Sequence, residues 1–152
     1  MPKKPARTGP EPGTFSLWRL TRGEKKAVLQ RVRQLLALYP EVRFAYVHGS
    51  FLEDRPCRDL DLAVYLAGAS AEQRLDLALA MGAELSHELG LPVDVHSLNE
   101  ASVPFAYEVL RRGKLLFCRD REEAFGFAER ILALYRDFLP LLEAGYRDLL
   151  TP

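Results

Sequence analysis

Gly49-Ser50 precedes Asp59-Leu60-Asp61 with eight residues between, and Asp94 follows farther on in Val93-Asp94-Val95. Carboxylates two apart on a strand share a face, so Asp59 and Asp61 can reach one metal site. Mg²⁺ takes oxygen ligands and is commonly held by one or two carboxylates together with substrate phosphates. Two such ions can activate an attacking oxygen and stabilise a leaving pyrophosphate in an in-line displacement. Gly49 lets the backbone come close to a phosphate, and the Ser50 hydroxyl can donate to it. A short helix starting after Ser50 would add its positive end. If the strand of Asp94 lies beside the first pair, Asp94 serves either as a third ligand or as the base that accepts a hydroxyl proton. Without cations, three aspartates converging beside an apolar sheet would repel one another. The set is that of nucleotidyl transfer from a nucleoside triphosphate with Mg²⁺.

Such residues need a sheet to hold them, and the hydrophobic pattern supplies one. Val42–Val47 is short, apolar and aromatic, and reads as a strand. In the next strand Leu60, Leu62, Val64 and Leu66 face one way, with Asp59, Asp61, Ala63 and Tyr65 facing the other. Pro92–Ser97 is a third strand and Leu115–Cys118 a short fourth. Helices fill the intervals. The first runs from Gly23, with Val28, Val32, Leu35, Leu36 and Tyr39 at helical spacing and Pro40 as its end. The second opens on Ser70 with Gln73, as in a capping box, and carries Leu75, Leu79, Gly82, Leu85 and Leu89 along one side. Asn99 is expected to cap a third that stops at Gly113. The fourth, Arg121–Leu139, is expected to turn Phe125, Ala128, Ile131, Leu132, Tyr135 and Phe138 inward, with Pro140 breaking or kinking it before a final turn through Leu150. The predicted class is α/β.

Bulk properties bound the reading without choosing it. The 152 residues fit one domain with a real core. Lysine plus arginine equals aspartate plus glutamate, 21 each, so no whole-chain field favours nucleic acid or membrane. Residues 1–22 are different: Lys3, Lys4, Arg7, Arg19 and Arg22 stand against Glu11 alone, among four prolines and two glycines. This composition predicts a solvated basic tail, anchored by Phe15, Leu17, Trp18 and Leu20, on a single domain of residues 23–152. Cys57 and Cys118 have neither metal spacing nor the number for a disulfide framework. No apolar run approaches the roughly 18 residues that cross a bilayer, and Met1–Pro12 has no signal-peptide core. The expected location is the cytoplasm.

At these residues a resemblance becomes specific. The runs Phe44-Ala-Tyr-Val-His-Gly-Ser50 and Asp59-Leu-Asp-Leu-Ala-Val-Tyr65 look like the minimal nucleotidyltransferases of the polymerase-beta-like superfamily. Val93-Asp-Val-His-Ser-Leu-Asn99 resembles their third-carboxylate strand. The stretches Tyr107 to Phe117 and Tyr135 to Pro140 are similar to MntA-type antitoxins of HEPN–MNT toxin–antitoxin pairs, and the likeness spans about residues 24–150. It implies an α+β nucleotidyltransferase fold, a small mixed sheet flanked by helices with C-terminal helices. It also implies an ATP- and Mg²⁺-dependent adenylyltransferase. Its partner would be a HEPN-family toxin, a ribonuclease held in a hetero-oligomer and silenced by adding AMP to a tyrosine near its active site. No membrane and no direct nucleic acid is expected. By position, Gly49 and Ser50 match the phosphate turn, and Asp59, Asp61 and Asp94 match the catalytic, metal-binding triad.

The chain departs from the family pattern between Ser50 and Asp59, where the loop is about two residues shorter. Leu52-Glu53-Asp54 replaces an Arg-Gly turn, and Arg58 stands where a small hydroxyl residue is usual. Glu53 and Asp54 would disfavour a triphosphate unless they face solvent; Arg55 or Arg58 would compensate by binding phosphate oxygens. Arg58 reads equally as an exposed loop arginine. His48 is either a nucleotide contact or a structural strand-end residue, and His96 shares the face of Asp94 as a supporting group. Tyr107, Tyr135 and Phe138 read as core or partner interface. Two other functions fit the same residues: a stand-alone nucleotidyltransferase acting on a small hydroxylated acceptor, and a catalytically degenerate antitoxin that acts by binding.

Overall fold

The computed structural model describes residues 7–8, 17–68 and 70–150 of the chain. Its centre is a four-stranded mixed sheet of β3 (Val42–His48), β4 (Leu60–Leu66), β5 (Val93–Ser97) and β6 (Lys114–Cys118). The strand order is β5-β4-β3-β6, with β5 and β6 at the edges. β3 runs antiparallel to both β4 and β6, and β4 runs parallel to β5. A parallel neighbour requires a crossover, and helix α2 (Ala71–Leu89) provides it. Ahead of the sheet, β1 (Arg7–Thr8) pairs antiparallel with β2 (Leu17–Trp18). The rest of the expected tail up to residue 16, including the anchoring role of Phe15, lies outside the described residues. Trp18 exchanges main-chain hydrogen bonds with Cys57, its N–H donating to Cys57 O at 2.7 Å and its O accepting from Cys57 N at 3.0 Å. Its indole N–H is buried without a partner among the described residues.

The period-two alternation of β4 divides the core in two. Leu60, Leu62, Val64 and Leu66 join Val47, Val95, and the buried sides of α1 (Arg22–Leu36) and α2. Ala63, with Tyr65 and Phe44, faces α3 (Val103–Arg112) and the first half of α4 (Arg121–Leu150) through Ala106, Val109, Ala124, Phe127 and Ile131. Phe44 and Tyr65 stack with ring centroids 4.9 Å apart. Helix ends carry the chemistry their termini need. Thr21 and Glu24 form a reciprocal capping box on α1. Ser70 caps α2 by accepting from Gln73 N at 3.1 Å, and Gly90, with φ +69°, ends it in the left-handed region.

Three local expectations are corrected. α1 ends at Leu36 rather than at Pro40. The cap of α3 is Ser102, which accepts from Phe105 N at 3.3 Å. Asn99 instead bonds both main-chain groups of Leu66, accepting from its N–H at 2.8 Å and donating to its O at 2.9 Å, and so finishes β4 as a strand residue would. Pro140 lies inside α4, which continues through Leu150. Two helix faces are also rotated from the pattern. In α4 the inward residues are Ala124, Phe127 and Ile131, with Phe125 at 66% exposure. In α2 they are Ala78, Met81, Gly82 and Leu85, leaving Leu75 and Leu79 exposed at 56% and 66%.

Candidate active site

Three adjacent strands bring the chemistry to one end of the sheet. In the ladder His48 of β3 lies opposite Asp61 of β4, and Asp61 lies opposite Asp94 of β5. Farther from this end the same face carries Tyr46, Ala63 and Tyr65 against α3 and α4. That face therefore changes from apolar to polar as it leaves the cover of the helices. His96, two residues beyond Asp94, is held to it by an Nε2–Oδ2 contact of 3.0 Å. Ligand atoms of Asp61, Asp94 and His96 all lie within 4.8 Å of one another. Asp59 precedes the strand and is absent from that close group, but its charge acts on Asp61.

Asp61 is where the electrostatics concentrate. Burial, then the charges of Asp59 and Asp94, push its carboxyl up to about 6. A carboxylate held among carboxylates in a partly dry site lacks positive charge, and a cation would relieve it. The carboxylate oxygens of Asp61 and Asp94 suit a hard cation such as Mg²⁺, and His96 stands within reach as a nitrogen donor or as a support for Asp94. His48 is shifted the other way. Burial first, and His96 second, hold its imidazole below the ordinary histidine range, and its Nε2 is buried with no hydrogen-bond partner. The rings of His48 and His96 both meet Phe105 of α3, at 5.5 Å and 5.4 Å between centroids.

The phosphate-turn candidates lie on the other side of Asp61 from Asp94. Gly49 has φ +79°, and a Cβ there would fall 2.5 Å from Asp61 Oδ2. Only glycine fits both the backbone conformation and the carboxylate behind it. Ser50 is half-buried in the four-residue 3₁₀ turn Gly49–Leu52, whose O accepts from Glu53 N at 3.0 Å. The loop carboxylates face solvent and are matched by cations. Asp54 pairs with Arg22 at 2.9 Å, which holds its carboxyl below the ordinary range, and Glu53 pairs with Arg55. Lys25 Nζ adds a hydrogen bond of 2.6 Å to Glu53 O. Arg55 is thus engaged within the loop, and Arg58 is exposed beside Asp59. Two groups at the site escaped the pattern reading. No motif singles out Phe105, and spacing places Leu75 and Leu79 with Leu85 along one side of their helix.

Known proteins share this fold. A family model described as polymerase beta, nucleotidyltransferase matches residues 30–122. No curated protein sequence matches significantly. Among solved structures, a chain from the tri-AMPylated Shewanella oneidensis HEPN toxin in complex with MNT antitoxin aligns with a TM-score of 0.65 at 23% identity, over 84% of this chain and 99% of that one. A chain of the MntA–HepT toxin–antitoxin aligns at 0.64 and 23%, over 83% and 99%. A chain from a toxin–antitoxin with AMP-PNP aligns at 0.60 and 24%, over 86% and 100%.

Proposed function

The chain belongs to the polymerase beta nucleotidyltransferase family, and from that premise we propose that it transfers AMP from ATP to a tyrosine hydroxyl of a HEPN-family partner in the cytoplasm, silencing it as an antitoxin. The observation that carries this reading is the register that sets Asp61 beside Asp94, with Gly49 pressed against the Asp61 carboxylate. Solved chains of the same fold come from complexes with an AMPylated HEPN toxin and with AMP-PNP, which supports a protein acceptor and an adenine nucleotide. Residues 23–152 form the catalytic domain in this reading, and residues 1–22 a basic arm.

Asp59, Asp61 and Asp94 would hold Mg²⁺, which supplies positive charge to the phosphates and to the leaving pyrophosphate. The chain's own groups do the rest. The Gly49–Ser50 turn receives the triphosphate, with Arg58 on its oxygens. Asp94, on the far side of Asp61, accepts the acceptor's proton. The tyrosine oxygen bonds to the α-phosphorus as the bond to the bridging oxygen breaks, and pyrophosphate leaves. Neutral His48 and Phe105 wall the reacting end and limit water there.

The test is transfer from α-labelled ATP with Mg²⁺ to the product of the neighbouring gene, with an Asp59→Asn/Asp61→Asn control. Label and an AMP mass increment on a partner tyrosine, lost in the control while the complex still forms, is the expected result. A stable complex that never takes label would overturn catalysis in favour of inhibition by contact.

A further inference from the structure

The structure points to a second binding feature next to the carboxylates. A groove of about 860 Å³ wraps the outer edge of β5. Leu75 and Leu79 of α2 form one wall, Phe105 of α3 the other, and Asp94 and His96 stand at its inner end. Both leucines are more than half exposed although they lie on a helix that buries its neighbouring turns. Leucines left open beside an edge strand form a surface that gains by being covered. Besides Asp94, the carboxylates on the lining are Glu72 and Glu100, of which Glu100 is already paired with Arg74.

In-line displacement decides what belongs there. Attacking and leaving oxygens sit on opposite sides of the phosphorus. Gly49 and Ser50 follow β3, Asp61 is central, and Asp94 lies toward the open β5 edge. With the triphosphate on the Gly49 side, the attacking hydroxyl must come from the β5 side, where the groove runs out to solvent. We infer that this groove receives the acceptor: an extended partner segment whose tyrosine ring slides past Phe105 to Asp94, while flanking apolar side chains cover Leu75 and Leu79. Basic residues beside the tyrosine complement the carboxylates of the groove. The inference rests on the transfer reading for its tyrosine, and on the groove alone for its contact.

The experiment pairs kinetics with crosslinking, using the whole chain and its HEPN partner. Leu75→Ser/Leu79→Ser changes only exposed side chains, so the fold is kept. The expected result is a KM for the partner raised about tenfold, with the KM for ATP unchanged. An unchanged partner KM overturns the inference. So does a raised ATP KM, which would make the groove a nucleotide pocket. In parallel, a photo-crosslinking phenylalanine analogue replaces Leu79. A crosslink to the tyrosine-bearing partner segment is expected; a crosslink to a second copy of this chain, or none, overturns the groove. If the wild-type protein transfers no AMP yet crosslinks to that segment, the transfer reading falls and the docking groove stands.

Discussion

Asp61 carries opposed demands, and its ionisation makes them measurable. Its folded carboxyl lies at about 6 against an ordinary 3.8, so the folded state holds a proton more tightly than the unfolded chain does. Between those values the folded state binds more protons, and stability falls as pH rises, reaching its lower plateau above about pH 6. Asp61→Asn removes this loss. We predict that it stabilises the metal-free protein at pH 7.5 by about 1–2 kcal/mol, a figure discounted for the solvent at the site, while abolishing transfer. The advantage fades as pH is lowered toward 4; thermal melts across pH check it, and an equal or lower Tm at pH 7.5 refutes it. Gly49→Ala should lower transfer by about 100-fold or more in a folded protein, because the new methyl displaces the Asp61 carboxylate it would strike. Transfer rates of the soluble variant decide this. That Asp61 shares a face with Ala63 and Tyr65 was legible in the sequence, because alternation along a strand assigns faces without knowledge of neighbours. The ordering of β5 beside β4 was not, since strand adjacency depends on how the crossover helix packs.

At the scale of elements, pattern located the strands well and the helix faces less well. β4 runs from Leu60 to Leu66 as alternation predicts, and β3 extends one residue beyond expectation, to His48. The α2 leucines show why helices are harder. Leu79 stands about a third of a turn round the helix from Leu85, and the stripe that meets the sheet runs through Ala78, Met81, Gly82 and Leu85; a wheel of residues cannot show which of two apolar stripes the sheet will cover. Of the break or kink expected at Pro140 there is no break: the missing N–H ends a helix only where the lost bond is not tolerated, and this stretch of α4 is solvent-exposed. Asn99 looked like a cap because it precedes a helix, yet its amide is shaped to mimic a peptide and pairs with Leu66. Asn99→Ala leaves both Leu66 groups without that partner at the end of β4. We expect a loss of about 1–3 kcal/mol in denaturant unfolding, with Asn99→Asp recovering only the accepting half; no change in the unfolding midpoint would refute this.

For the molecule as a whole, the two apolar layers share one sheet, and β3 and β4 contribute side chains to both. Neither layer has a floor without the other. Thermal unfolding should therefore be a single transition, with calorimetric and van't Hoff enthalpies in agreement; two resolved steps would contradict the shared-floor argument. Exposed ion pairs such as Arg22–Asp54 add little to that stability, and act instead by fixing the loop that approaches the candidate phosphate turn. This loop is fastened from the opposite direction as well, by the main-chain bridge between Trp18 and Cys57. Trp18 is the chain's one tryptophan. Its indole emission thus reports from a single place, at the root of the segment that leads into Asp59. Fluorescence of the unlabelled protein therefore tests whether nucleotide arrival disturbs that segment, and Trp18→Phe provides the dark reference.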